Sequence, residues 1–226
     1  MTTTTYPVRL EGERQPRLNR GLWLVKWFLL IPHLIVLGFL WPAFVVLTVV
    51  TFVTQLRGAR YPRRIFDFNL GVLRWTWRVN FYGYGALGTD RYPPFTLKEA
   101  PDYPARLEID YPEDQATGQK LLSAWLAGIP QYVVAGILGG GAGIAWAAEH
   151  SLFTGLIGVL VLVAAISLAV NGEYPPGLFD YVIGLNRWVI RVVAYGALMT
   201  TAYPPFLLDK GEREPTHETA PPVPVR

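Results

Sequence analysis

The stretch YPRRIFDFNLGVLRWTWRV, residues 61–79, returns later in the chain as YPPGLFDYVIGLNRWVIRV, residues 174–192. Nine of the 19 aligned positions are identical, whereas chance would give about one, because each residue type makes up only a few per cent of an average sequence. A match of this extent indicates an internal duplication.

Shorter matches on both sides extend the duplication over most of the chain. They pair residues 6–11 with 103–108, 31–33 with 129–131, and 92–95 with 203–206. We therefore predict two homologous units, residues 6–99 and 100–209. A flexible N-terminus of residues 1–5 precedes them, and a disordered, proline-rich tail of residues 210–226 follows.

The matched polar residues of the long stretch have helical spacing. Asp67, Gly71, Arg74, Arg78 and Tyr82 are spaced four, three, four and four apart, and the second copy repeats this pattern. Such spacing places them on one face of a helix. An arginine in mid-bilayer costs at least about 2.5–3.5 kcal/mol, so we expect both helices to be amphipathic and to lie at the membrane interface. Burial against the apolar segments, with Asp67 paired to an arginine, remains an alternative.

Two long apolar blocks indicate membrane segments. The first covers residues 21–56 and the second covers residues 121–170. A span needs about 20 apolar residues, so a turn at residues 38–42 would divide the first block into a hairpin of two short spans. One long span is the alternative there. The second block is broken at residues 139–141 and 149–151, which predicts a hairpin of residues 121–138 and 152–170.

These elements define the predicted fold. It is a mainly α, polytopic membrane protein in which each unit has a transmembrane helical hairpin, an interfacial helix and short extended or β arms. Arginines precede the first block and follow it, and the positive-inside rule puts both basic segments in the cytoplasm. We therefore expect four spans, with both termini cytoplasmic, in the inner membrane of a bacterium.

Composition excludes several classes of protein. The 226 residues are 51% hydrophobic and 16% charged, and there is no cysteine. A chain with this much apolar surface is not disordered as a whole, and it can form no disulfide. The net charge of +3 comes from basic residues that flank apolar runs, which is typical of membrane proteins, so we expect no nucleic-acid partner.

No catalytic or metal-binding pattern is present in the sequence. His33, His150 and His217 lack the spacing of metal ligands, and the glycine run at 139–141 lacks the Lys-Ser/Thr of a phosphate loop. No nucleophile elbow or kinase motif occurs. We therefore expect no metal, no cofactor and no enzymatic activity.

The candidate functional residues fall into two groups. The first group consists of charged residues that could contact anionic lipid headgroups or partner proteins. They are Arg57, Arg60, Arg63, Arg64, Asp67, Arg74, Arg78, Asp180, Arg187 and Arg191. For the residues of the two helices, an ion-paired stripe that locks each helix in place is the structural alternative.

The second group consists of two matched extended arms. They are Tyr92, Pro93, Pro94 and Phe95, and Tyr203, Pro204, Pro205 and Phe206. Proline-rich extended segments bind partners at little ordering cost, so the arms could dock another protein. Folding back over their own helices is an equally good interpretation.

Together, the Tyr-Pro, Phe-Asp, Arg-Trp and Tyr-Pro-Pro-Phe motifs resemble those of an uncharacterised bacterial integral-membrane domain of unknown function. The Ile31-Pro32-His33 motif is similar too, although Gln131 replaces the histidine in the second unit. The resemblance covers both units and implies a membrane location without implying an activity.

The function that follows is an expectation by class. We expect a non-enzymatic membrane scaffold or accessory subunit that contacts anionic lipids and either other membrane proteins or further copies of itself. A component of an oligomeric channel or transporter is the alternative, because internal repeats are frequent in transporters. A lipid-modifying enzyme is a weaker third hypothesis.

Overall fold

A computed structural model describes residues 6–113, 118–139 and 155–214. The described residues form two strands and six helices. The strands are β1 (Val8–Gly12) and β2 (Ala105–Ile109); the helices are α1 (Trp23–Leu56), α2 (Arg63–Tyr82), α3 (Gly118–Ala127), α4 (Ile129–Gly139), α5 (Leu156–Asn171) and α6 (Pro176–Gly196). The prediction of a mainly helical fold is confirmed.

The two matched stretches form helices α2 and α6, as predicted. Each begins directly after a proline, Pro62 for α2 and Pro175 for α6, and proline suits a helix start because its missing N–H has no intrahelical partner there. Both helices carry fully buried side chains, such as Trp77 and Phe179. The structure therefore places them in the protein core, packed against the apolar helices, which corresponds to the alternative of burial against the apolar segments.

Strands β1 and β2 form a two-stranded antiparallel sheet in which Leu10 lies opposite Leu107. Side chains alternate between the two faces of a strand, so these leucines point inward and are buried. Arg9 lies on the outer face and pairs with Glu108 at 3.1 Å and Asp110 at 2.7 Å. The predicted arms at residues 6–11 and 103–108 thus pair with each other. Residues 92–95 and 203–206 are not strands.

Each strand packs on the helix of the other sequence unit. Strand β1 contacts α6, and β2 contacts α2. Helix α1 packs on α2, while α4 and α5 pack on α6. The molecule therefore has three layers: the sheet, the two central helices, and the apolar helices.

Helix α1 runs unbroken through 34 residues, with Pro32 and Pro42 inside it. The predicted turn at residues 38–42 is therefore wrong, and the first apolar block is one helix. The physical reason is packing. Leu30, Leu37 and Phe44 lie on one helical face and are buried, so a single stripe on both sides of Pro42 holds the helix against the core.

Among the described residues, α1 is the one helix that alone has the length and apolar composition to cross a membrane. Helices α3 and α4 meet the same criteria only when taken together across a bend of 44°. Helix α5 is apolar but has 16 residues. The loop of the predicted second hairpin lies outside the described residues, apart from Gly139 at the end of α4.

Candidate functional site

Arg74 and Arg187, two of the candidate residues, bind the two strands at their centres. The Nε of Arg74 donates to the Leu107 carbonyl at 2.9 Å, and the Nε of Arg187 donates to the Leu10 carbonyl at 3.0 Å. These carbonyls belong to residues that face each other in the sheet. The two arginines therefore hold the sheet against the helices at matched points.

Arg78 and Arg191 bind the segments that follow the proline-rich arms. Arg78 donates to the carbonyls of Lys98, at 3.0 Å, and of Thr96. Arg191 pairs with the carboxylate of Asp209 at 2.7 Å and with Glu214. Both side chains are buried.

Arg187 is completely buried. Besides Leu10, it donates to the carbonyls of Asp209 and Gly211, and it lies 2.8 Å from a Glu214 carboxylate oxygen. Burial lowers the pKa of Arg187, an effect that Glu214 opposes, and burial also lowers the pKa of Arg78. These contacts correspond to the locking role rather than to an exposed headgroup site.

The acidic partners differ from those considered in the sequence. Asp67 pairs with Arg63 on the surface at 3.2 Å, and the described residues include no ion pair of Asp180. In the second half, Arg187 pairs with Glu214 and Arg191 pairs with Asp209. Residues 210–214, assigned to the tail in the sequence, are therefore part of the packed structure. No periodic pattern in that segment signals this role.

Four tyrosine hydroxyls, which sequence reasoning did not select, tie the two halves together. Tyr6 donates to the Ala202 carbonyl at 2.9 Å, and Tyr103 donates to the Arg91 carbonyl at 3.1 Å. In the same way, Tyr61 and Tyr174 donate to the carbonyls of Ala197 and Ala86, at 3.4 and 3.0 Å. Each of the four begins a Tyr-Pro motif, and this recurrence was the available signal.

Burial keeps these tyrosines protonated. It raises the pKa of Tyr6 and of Tyr61 to about 12, and it raises the pKa of Tyr103 and of Tyr174 as well. All four hydroxyls therefore stay protonated donors into the alkaline range, and they act as structural ties.

The first proline-rich arm lies along α1. The hydroxyl of Tyr92 donates to the Leu29 carbonyl at 3.0 Å, and the ring of Phe95 stacks on His33 with centroids 3.9 Å apart. His33 is buried and accepts a hydrogen bond at Nδ1 from Trp75 at 3.0 Å. Among the described residues no group of His, Asp and Glu side chains could hold a metal ion.

The second arm makes corresponding contacts with α3, α4 and α6. Gln131 donates to the Pro204 carbonyl at 2.9 Å, and the hydroxyl of Tyr203 donates to the Ala127 carbonyl at 3.4 Å. The ring of Phe206 lies 5.8 Å from that of Trp188. Both arms thus fold back on the chain, while Tyr92, Phe95, Tyr203 and Phe206 each keep one side exposed.

The remaining candidates form an exposed basic cluster where α1 ends and α2 begins; they are Arg57, Arg60, Arg63 and Arg64. Among the described residues, their single acidic partner is Asp67. Arg63 and Arg64 occupy the first turn of α2, which contains no acidic residue. The positive end of the helix dipole disfavours cations there, so an anion at this position would be stabilised.

The basic cluster is not duplicated. The alignment that begins at Tyr61 and Tyr174 places Pro176 and Gly177 opposite Arg63 and Arg64. Helix α6 therefore forms without these charges, whereas the buried arginines occur in both copies. A helix of this type can therefore begin without the basic cluster.

An extended apolar surface covers the outer side of the third layer. Large side chains of α1 are more than half exposed, and α4 and α5 also carry exposed apolar side chains, such as Ile137 and Val163. The most exposed ones on α1 are Leu24, Trp27, Phe28, Leu34, Ile35, Phe39, Val45, Val46 and Val49. Monomeric soluble proteins rarely expose contiguous apolar patches above a few hundred Å².

The described residues also form a cavity and a cleft. A cavity of ≈ 240 Å³ lies between α1 and α5 beneath the central helices, with Leu34, Trp41 and Val189 in its wall. A polar cleft of ≈ 340 Å³ lies beside the sheet and is lined by both acidic and basic residues, such as Glu13 and Arg106.

Comparison with known proteins gives one finding. The sequence model of a family described as a domain of unknown function, DUF4389, matches residues 20–96 and 142–207. The match in two regions is consistent with a repeat. No curated protein and no solved structure matches the chain. Because the matched residues make up more than half of the sequence, the chain belongs to the DUF4389 family.

Proposed function

We propose that this protein is a non-enzymatic membrane scaffold or accessory subunit, embedded in the lipid through α1, α4 and α5. The observation that supports this proposal is the exposed apolar surface of these helices. Side chains such as Phe39, 77% exposed, and Val170, 73% exposed, face outward where a soluble protein would present charge. Apolar surface of this kind is stable in contact with lipid.

The proposed architecture is a tandem duplication with a pseudo-two-fold axis through the centre of the sheet. The paired contacts of Arg74 and Arg187 and those of Tyr61 and Tyr174 support it. In this arrangement the matched arginines and tyrosines maintain the fold, and the residues that stay exposed are available for function.

The exposed cluster of Arg57, Arg60, Arg63 and Arg64 is the proposed contact with anionic headgroups. Its position at the end of an apolar helix would bring it to the headgroup region. Each basic residue near an anionic surface adds about 1 kcal/mol of attraction. We place this cluster in the cytoplasm of a bacterium, at the inner membrane, in line with the positive-inside rule.

The exposed aromatic edges of the two arms are the proposed contacts with protein partners. Phe95 and Phe206 are each more than half exposed even though the arms are folded back. Aromatic residues are enriched at protein interfaces. A partner could therefore bind both arms without displacing either.

The test is gentle extraction from native membranes followed by native mass spectrometry. Other proteins at fixed stoichiometry would establish an accessory subunit. A homo-oligomer without partners would instead favour the channel or transporter hypothesis, and recovery in the soluble fraction would contradict membrane embedding.

A further inference from the structure

The sheet and helix α1 lie on opposite sides of α2. Trp77 of α2 donates to the Glu11 carbonyl at the end of β1, while Trp75 bonds His33 of α1. Positions two apart differ by about 200° around a helix of 3.6 residues per turn. The charged outer face of the sheet therefore points away from the apolar surface of α1.

The sheet also lies level with the middle of α1. Arg74, which holds β2, is the neighbour of Trp75, and Trp75 packs in one cluster with Leu37 and Trp41 of α1. Next to the central leucine pair, Arg9 faces outward with Glu108 and Asp110, whose side chains are 51% and 55% exposed. A vertical α1 would put this charged face in the hydrocarbon at mid-bilayer depth, where ionised side chains are expensive.

The length of α1 does not match a vertical span either. Its 34 residues at 1.5 Å per residue extend about 51 Å, against about 30 Å for the hydrocarbon core. The arginines at both ends add a third argument, because the positive-inside rule places both ends on the same side. One unbroken helix satisfies that rule only when it does not cross.

We propose that α1 lies parallel to the membrane and that the protein inserts into a single leaflet. The occupant of the apolar surface of α1, α4 and α5 is then the acyl region of one lipid leaflet, and the sheet faces water. Both ends of α1 are at headgroup depth, so the cluster around Arg60 contacts phosphates together with Arg17 and Arg20, which precede α1. This inference rests on the proposed membrane embedding and specifies its geometry.

Depth measurements at three sites test the orientation. Phe28, Phe39 and Val50 are 60%, 77% and 44% exposed, and their spacing of 11 residues puts them on the same face of α1. The chain has no cysteine, so Phe28→Cys, Phe39→Cys and Val50→Cys each give one attachment point for a nitroxide. The depth of each label follows from its accessibility to oxygen and to a water-soluble nickel chelate, in vesicles of phosphatidylethanolamine and phosphatidylglycerol.

A flat α1 predicts three similar depths. A crossing α1 would place the label at Phe39 deeper than the other two by up to about 16 Å, because 11 residues rise by that distance, and this result would overturn the proposal. Spin–spin broadening at Phe39→Cys with exclusion of both reagents would overturn it as well, since it would show a second copy on this surface. Glu108→Cys is the control on the sheet, and a lipid-exposed label there would also contradict the flat orientation.

Two further readouts separate this proposal from the membrane embedding on which it rests. Co-flotation of the protein with the vesicles reports membrane embedding alone. A protein that does not float with the vesicles would reject the proposed function before any depth is measured. Arg17→Cys and Arg60→Cys then report sidedness with an impermeant maleimide. Labelling of both from one side supports the flat orientation, and labelling from opposite sides overturns it. Each labelled variant must elute as the unmodified protein does.

Discussion

Arg187 shows at the residue scale how a side chain that could bind lipid is used for folding. Its guanidinium contacts three carbonyls and the Glu214 carboxylate, away from solvent. A buried charge that loses its partner is strongly destabilising. The same residue type at Arg64 is exposed, so position in the structure, and not the residue type, separates the two roles.

Replacement of Arg187 tests this role. We expect Arg187→Ala to lower the free energy of unfolding by about 3–5 kcal/mol, because a buried ion pair is broken. Glu214 then keeps only Arg191 of its two cations, and three carbonyls lose their guanidinium donor. The exposed Arg64→Ala is the control, with a change within about 0.5 kcal/mol. Thermal unfolding in detergent measures both variants. Equal midpoints for the two would contradict the assignment.

The raised pKa of Tyr61 predicts that the folded protein loses stability at alkaline pH. Burial raises its pKa from 10.0 to about 12, so the folded state retains a proton that the unfolded state releases above pH 10. The contribution to stability is complete below pH 10 and is lost as the pH rises through about 12. Unfolding midpoints measured across this range should decline less steeply for Tyr61→Phe than for the unmodified chain. Identical slopes would show that Tyr61 does not titrate in this way.

At the element scale, α1 is where local signals and packing disagree. Gly38 and Pro42 weaken a helix locally, yet the buried stripe from Leu30 to Phe44 continues through them. The sequence pattern correctly predicted α2 and α6, because their polar and apolar residues follow the helical period. It did not predict the continuity of α1, because this depends on contacts with α2.

Glycine substitutions test the continuity of α1. Nothing lies within 4 Å of a Cβ at Gly38, so Gly38→Ala should stabilise the protein by about 0.5–1 kcal/mol, as expected for an exposed helix interior. At Gly71 a Cβ would lie 2.8 Å from the side chain of Leu97 and 2.9 Å from its carbonyl oxygen. Gly71→Ala should therefore destabilise. Denaturation in detergent compares the pair, and a loss of stability in Gly38→Ala would favour a turn at residues 38–42.

Across the whole molecule, the candidate arginines divide into internally bonded residues and exposed residues. The arginines present in both halves are bonded internally, whereas the cluster of Arg57, Arg60, Arg63 and Arg64 has one acidic partner among the described residues. The sequence identified all of these arginines as candidates, but it could not distinguish those that are bonded internally from those that are exposed. Their partners, such as Glu214 for Arg187, lie in segments without periodic patterns, and the pairing of Arg9 with Glu108 joins residues 99 positions apart.

Neutralising the exposed cluster should weaken binding to anionic lipid. With all four arginines changed to glutamine, affinity for phosphatidylglycerol vesicles should fall by about fivefold per residue, since each contributes about 1 kcal/mol. Co-sedimentation at low and high salt measures the loss, and salt should reduce the difference between variant and unmodified chain. Arg106→Gln, on the sheet, is the matched control. Unchanged affinity of the fourfold variant would remove the cluster from the proposed lipid contact.

The exchange of strands between the two halves also determines when the protein can fold during synthesis. Helix α2 stays uncovered on one face until β2 has been made, and Arg187 and Arg191 lack their carboxylate partners until residue 214 has left the ribosome. Contacts of such long sequence separation slow folding. The nascent chain therefore carries these unfinished contacts until residue 214 has been made, and ribosomes that stop before Asp209 would release a product open to proteolysis.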